Sequence, residues 1–488
     1  MPKETLESAV GLNEKIYRLF CRCFLVLFSI FIPIALVGIS SLADVILSPL
    51  LLLGAVGLIV LFVSLLKRGR AVVQWVFAPL ALAVLGILPR IFILGYLGAE
   101  YTQVGDYATA LASSQTLPYI GAYFRVFSTW IMQVYYLSLM PTAFFGMCMN
   151  ALLTVMAGVL LYYLALQAGL GRSTAVGAGL IFLWQPSLLL YAPVLSPELP
   201  HLFLAVLAMN IFMLAKKRSG FSAYALYVLA GVVFCLADLF RSVVIIYLIA
   251  CAIVFMVRRS RKSLIGLVVA GIVCTMLTPL AYNAAETASG ESVNRSLVGH
   301  FLYMGLTKGY WTVETSQYYP LAKANDFDYE KTSRELMERL LEERKADKWP
   351  SLFLLIPMKL AFGLGTDDYT HLIYDGLSAE MQESLPITLF ATYIRSYYAL
   401  ILLGIVYSAR AALKKTNMGL IFFAQIVMVG FTLLMLLSEV QPRYKIVLYP
   451  LMALCAAYGF EERFTREGCL YSELPHGSKL LLRLKRKM

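Results

Sequence analysis

Four short polar stretches interrupt this otherwise apolar chain, and each carries a side chain able to do chemistry. Asp106 stands in Gly-Ala-Glu-Tyr-Thr-Gln-Val-Gly-Asp-Tyr, with Glu100 six residues earlier and Tyr107 directly behind it. Glu198 and His201 share Ser-Pro-Glu-Leu-Pro-His, Asp238 and Arg241 share Asp-Leu-Phe-Arg, and Glu439, Arg443 and Tyr444 share Glu-Val-Gln-Pro-Arg-Tyr. A carboxylate can take the proton of an attacking hydroxyl, and a guanidinium can hold a departing phosphate through two parallel hydrogen bonds.

Each residue also has a plainer reading. Asp238 with Arg241, and Glu439 with Arg443, are spaced to neutralise one another on a helix end. Glu198 behind a proline suits a helix N-terminal carboxylate, His201 a satisfied interfacial histidine, Arg90 and Arg125 interfacial anchors, and Asp106 a solvated loop acid. What separates the two readings is whether the surrounding elements bring the groups to one place.

Those elements are membrane helices. Hydrophobic residues make up 60% of the 488 positions and charged residues 14%, and apolar runs of bilayer-spanning length recur from Phe24 almost to the end. Lipid leaves no partner for unpaired backbone, and no barrel-type alternation is visible, so an all-α polytopic integral membrane protein is expected. Spans are predicted near 24–40, 49–66, 71–95, 143–168, 174–192, 200–215, 222–239, 243–257, 263–282, 391–409, 418–437 and 444–459, about twelve in all. The first run follows a charged stretch, Lys3 to Arg22, without a small-residue cleavage pattern, so it reads as an anchor rather than a signal peptide.

The basic clusters Lys67-Arg68-Gly-Arg70, Arg172, Lys216-Lys217-Arg218, Arg258 to Lys262, Arg410 with Lys414-Lys415, and Lys479 to Lys487 fall on one side if the N-terminus is cytoplasmic. Both termini are then inside, and the formal charge of +12 is concentrated in turns that meet anionic lipid. No basic face interleaved with aromatics points to nucleic acid. All eight cysteines map to spans or the cytoplasmic side, and Cys21-Arg-Cys23 has the wrong spacing for a zinc knuckle. Disulfides are not expected, and the four scattered histidines supply no metal cage.

The polar mass lies outside, in a loop over 97–142 and an insertion over 283–390. The loop has the helical spacing of amphipathic surface helices around Tyr107 and Ala122. The insertion holds a soluble-type helix, Tyr329 to Asp347, with Leu336, Met337, Leu340 and Leu341 on one face, followed by a short apolar run to Gly365 that reads as re-entrant or interfacial. Asp367-Asp368 reads as solvated turn acids, with a divalent-metal role as the weaker alternative. The expected division is 1–70 (cytoplasmic segment and two added spans), 71–282 (core with the loop 97–142), 283–390 (insertion), 391–460 (C-terminal spans) and 461–488 (basic tail, solvated or a short interfacial helix).

On this topology the four polar stretches share one depth near the outer surface, where ionisable groups tend to face a cavity or pair with each other. A carboxylate with several arginines there suits transfer from a lipid-linked phosphate donor. The order of Gly-Asp106-Tyr in the first loop, Leu-Ser-Pro-Glu198, Leu-Phe-Arg241, and Gln-Pro-Arg443-Tyr444 before an apolar run with Pro450 resembles the membrane glycosyltransferases of the C-type fold. Within these it is most similar to the protein O-mannosyltransferase and lipid A aminoarabinose transferase group, over roughly Ala71 to Phe460.

The resemblance implies a polyprenyl-phosphate-linked sugar donor, transfer on the outer face to an envelope glycan, lipid or protein, and inversion at the anomeric carbon. Asp106 would be the base, Arg241 and Arg443 donor-phosphate contacts, and Glu198 structural or acceptor-orienting. Glu439, His201, Tyr107 and Tyr444 complete the expected substrate-binding set, with no resident cofactor. Many relatives place two adjacent acids in the first loop, whereas here Tyr107 follows Asp106. Single-carboxylate chemistry and help from Glu100 both stay open.

A transporter or flippase of a lipid-linked precursor is the alternative class. It is disfavoured because repeated halves and midplane charges are not seen. A glycan polymerase or ligase is a third reading. Sparse cysteine and compact inner turns suit a bacterial inner membrane.

Overall fold

In a computed structural model the chain is described over residues 3–37, 71–97, 142–289, 298–307, 318–325, 328–346, 350–365, 367, 385–414 and 419–470. Among these residues the structure is helical throughout, and eight helices are long and apolar enough to cross a membrane. The chain is an all-α polytopic membrane protein.

The elements are α1 (Lys3–Val37), α2 (Ala71–Leu97), α3 (Ala143–Gln167), α4 (Arg172–Leu183), α5 (Pro186–Tyr191), α6 (Glu198–Lys216), α7 (Phe221–Phe240), α8 (Val244–Val257) and α9 (Arg261–Ser289). There follow α10 (Val298–Thr307), α11 (Tyr318–Ala324), α12 (Tyr329–Ala346) and α13 (Pro350–Leu360) with a π-helical turn, Ala361–Gly365. The chain ends in α14 (Leu385–Lys414), α15 (Leu420–Leu437), a 3-10 segment, Pro442–Leu448, and α16 (Tyr449–Leu470).

Many of these helices are apolar on both faces. On α2, Ala78 and Leu82 are buried while Leu80 and Leu88 are 58% and 56% exposed, and α9 presents Ile265, Val268, Ile272 and Met276 outward in the same way. Such stripes would drive association in water, but they suit contact with acyl chains. The inner faces make one continuous core, in which α6 packs on α7 and α3, α7 on α9, α4 and α14 on α16, and α8 on α15.

Two differences from the expected spans matter. The run 174–192 is not one helix: α4 is 12 residues, about 18 Å, too short for a hydrocarbon core of about 30 Å. Pro186 brings no N–H to continue its ladder and instead opens α5 as its first residue. The first helix is longer than its expected span, because Lys3 to Arg22 is helical too, with Tyr17, Cys21, Phe24, Phe28 and Phe31 buried at helical spacing. Tyr17 and Phe20 meet the ring of Phe422 at 4.8 and 5.3 Å, so α1 joins α14 and α15 in the core.

Close approach fixes the crossing of α14 and α16. A Cβ on Gly404 would lie 2.7 Å from the Ala456 Cα, and one on Gly459 would enter the backbone of α14 at Gly404 and Ser408. Small residues at a membrane crossing let backbones touch in this way.

The insertion forms a small helical unit. Leu336 and Leu340 of α12 are buried against Tyr303, Met304 and Leu321, while Leu341, expected on the same face, is exposed. Asp328 starts α12 by accepting the Lys331 N–H at 3.0 Å. Lys359 is buried, donating to Gly305 O at 2.8 Å and Leu436 O at 2.7 Å, so α13 is tied to the ends of α10 and α15. The expected second span at 49–66, the loop helices near Tyr107 and Ala122, Arg125 and the basic tail 471–488 lie outside the described residues.

Candidate functional site

The site is built where α5, α6, α7 and the 3-10 segment meet. Glu198 is the first residue of α6, where the positive end of the helix favours a carboxylate, and it is fully buried. Its Oε1 takes the guanidinium of Arg241, which follows α7 in an extended conformation, and its Oε2 accepts the Tyr191 hydroxyl at 3.4 Å. Helix ends, rather than helix faces, position this ion pair.

The 3-10 segment adds the other half. The Arg241 guanidinium lies 4.9 Å from the ring centre of Tyr444, and that of Arg443 lies 6.0 Å from the same ring. The Tyr444 hydroxyl donates to Glu439 Oε1, which also accepts Gln441 Nε2 at 3.4 Å. The result is an alternating series, Glu198, Arg241, Tyr444 and Glu439, with Arg443 at its side. The Arg241 side chain is 24% exposed while Glu198 is sealed beneath it, so the open face of the cluster is cationic.

The simple pairing of Asp238 with Arg241 is not how these two residues are used. Arg241 turns to Glu198, and Asp238 instead accepts the Val244 N–H at 3.0 Å across the turn into α8. Glu439 engages the Tyr444 hydroxyl. His201 is fully buried, with Nδ1 2.9 Å from Ala237 O, which makes Nδ1 the protonated nitrogen and leaves Nε2 as a buried acceptor with no partner among the described residues. Glu198, Arg241, Glu439, Arg443, Tyr444 and His201 therefore come together. Asp106, Tyr107 and Glu100 lie outside the described residues.

A second buried constellation was not expected. Asp367 is 1% exposed, which corrects the reading of a solvated turn acid. Its Oδ2 accepts Gln185 Nε2 at 2.9 Å and the Ser187 hydroxyl, and its Oδ1 accepts the Tyr449 hydroxyl and faces Lys445 Nζ at 3.3 Å. Burial raises its pKa, and Lys445 with the Ser187 and Tyr449 hydroxyls opposes that rise. Lys445 also lies 4.6 Å from the centre of the Tyr398 ring, whose hydroxyl donates to Leu364 O at 2.6 Å. This knot joins the α4–α5 break, the π turn, α14 and the 3-10 segment, and it pins the chain one residue beyond Tyr444. Asp367, and Lys445 at the head of the apolar run that begins at Ile446, were the ionisable signals the sequence offered for it.

Arg90, expected as an interfacial anchor, is instead fully buried, donating through Nη1 to Gly86 O at 2.7 Å and Leu183 O at 3.1 Å. Among the described residues no three His, Cys, Asp or Glu side chains gather as metal ligands. Asp368, the partner of Asp367 in the metal alternative, lies outside them.

Fold and site together define a polytopic all-α membrane protein with a buried arginine–carboxylate cluster at one end of its helices. No family model matches the chain, and no curated protein does. Among solved structures it is similar to the Archaeoglobus fulgidus oligosaccharyltransferase in complex with zinc and sulfate, at TM-score 0.44 and 15% identity, over 80% of this chain and 49% of that one. The apo form of that enzyme gives TM-score 0.44 and 13% identity, over 81% and 51%. The archaeal oligosaccharyltransferase AglB from the same organism, in complex with an inhibitory peptide and a dolichol-phosphate, gives 0.37 and 13%, over 72% and 44%. The chain spans about half the length of these proteins, and likeness of this extent assigns no activity.

Proposed function

We propose that this chain is a glycosyltransferase that moves a sugar from a polyprenyl-phosphate-linked donor to a cell-envelope glycan, lipid or protein. The supporting observation is the pair Arg241 and Arg443 around Tyr444, backed by buried Glu198 and Glu439 at one end of the helices. The resemblance of the four polar stretches to C-type-fold transferases supports the same reading. Arg241 and Arg443 hold the donor phosphate, and Glu198 fixes Arg241 without covering its open side. The acceptor hydroxyl attacks the anomeric carbon, its proton passes to Asp106, and the bond from that carbon to the phosphate oxygen breaks. The lipid phosphate leaves as an anion on the arginines.

The test compares wild type with Asp106→Asn in proteoliposomes, using radiolabelled polyprenyl-phosphate sugars. Transfer falls by about two to four decades with donor binding retained if Asp106 is the base. Undiminished transfer removes that role, and lipid flipping without transfer moves the protein to the flippase class.

A further inference from the structure

We infer that Arg90 is a third phosphate-binding arginine of the donor site, reaching the anionic head of the lipid-linked donor from within the helix bundle. This rests on the transferase reading above. Arg90 has no exposed surface, and Nη1 alone is used, on the Gly86 and Leu183 carbonyls. Its Nε and Nη2 are buried without a partner among the described residues. A guanidinium cannot shed its charge to escape burial, so two idle donors on a sealed cation call for an acceptor. The Leu183 carbonyl belongs to the last turn of α4, and capping that turn accounts for Nη1 but leaves the other two nitrogens idle.

The place and the polarity both fit phosphate. On α2, Ile87 and Leu94 share the face of Arg90, one turn to either side. Both belong to the small apolar cluster that holds Leu195 and Phe240. Phe240 immediately precedes Arg241, and Leu195 lies three residues before Glu198, so the apolar cluster flanking Arg90 adjoins the segments that carry the ion pair. Trp184, next to Leu183, contributes another buried idle nitrogen, Nε1. The idle atoms on Arg90 and Trp184 are all donors, which matches a group that accepts, as a phosphate does.

The experiment measures transfer in proteoliposomes with polyprenyl-phosphate sugar and inhibition by free polyprenyl phosphate, for wild type, Arg90→Gln, Arg90→Lys and Arg241→Gln. Removing charge-assisted bonds to phosphate in Arg90→Gln raises the donor KM about tenfold to a hundredfold, weakens the inhibition similarly and leaves the acceptor KM in place. A residue that only caps α4 would lower thermal stability without this split. Should Arg90→Gln not fold, Arg90→Lys keeps the cation and a donor for the cap, and its donor KM still rises because the fork is gone. A donor KM unchanged in a folded Arg90 variant, with Arg241→Gln still impaired, overturns the inference and leaves the transferase standing. Transfer absent from the wild type and insensitive phosphate binding in every variant sink the transferase reading itself. Stabilisation by anionic phospholipid that is lost in Arg90→Gln, with donor KM unchanged, assigns the arginine to a lipid headgroup and also overturns the inference.

Discussion

At the scale of single residues, Arg241 has two jobs that pull apart under mutation. It neutralises buried Glu198 and it presents the open cationic face beside Tyr444. Arg241→Gln leaves an uncompensated buried carboxylate, a loss of about 3–5 kcal/mol in comparable pairs. Adding Glu198→Gln removes that charge, so the double variant regains much of the melting temperature in detergent while donor binding stays weak. Recovery of both properties would mean that Arg241 is only structural. The pair itself was half legible, because each residue stood out as ionisable in an apolar setting. Its partner choice was not, since local spacing favoured Asp238 and only the packing of α6 on α7 decides for Glu198. Asp367 was misread for the same reason: Gln185, which donates to it, lies 182 residues away.

At the scale of elements, apolar runs announced nearly every long helix, because lipid demands length and hydrophobicity of each one separately. The break at Trp184 was signalled by Gln185-Pro186-Ser187 but masked by the apolar stretches on either side. The small helical unit of the insertion was legible through the period of α12, and its α10 carries a titratable group. His300 is buried, and burial lowers its pKa from 6.5 to about 4. Above about pH 6.5 it is neutral whether folded or not and costs nothing; as pH falls toward 4 the unfolded imidazole gains a proton that the folded one refuses. Packing of α10 on α12 therefore weakens across that window and levels off below it. Protease cleavage within 329–346 increases from pH 7 to pH 4.5 in wild type, and His300→Gln flattens the slope.

At the scale of the molecule, charge is segregated along the helix axes. The Lys262 ammonium donates to Arg218 O at 2.6 Å, and Ser173 and Thr174 bind Glu461, so the turns after α3, α6 and α8 and the far part of α16 share one end. Glu198, Arg241 and Glu439 occupy the other. With the basic end cytoplasmic, an impermeant thiol reagent applied to intact cells labels a cysteine at Ser438 but not one at Lys217. The reverse pattern would invert the site and exclude transfer at the cell exterior.

The crossing of α14 and α16 has a consequence for how this protein can vary over time. Most of its core is made of side chains that can trade volume with their neighbours, so Leu, Ile, Met and Phe can drift in concert. At Gly404 and Gly459 the contact is backbone against backbone, with no rotamer to reorganise and no neighbour able to compensate. Sequences descended from a common ancestor can therefore diverge almost everywhere along these helices and still share this pair, which makes it a better marker of kinship than the apolar residues around it.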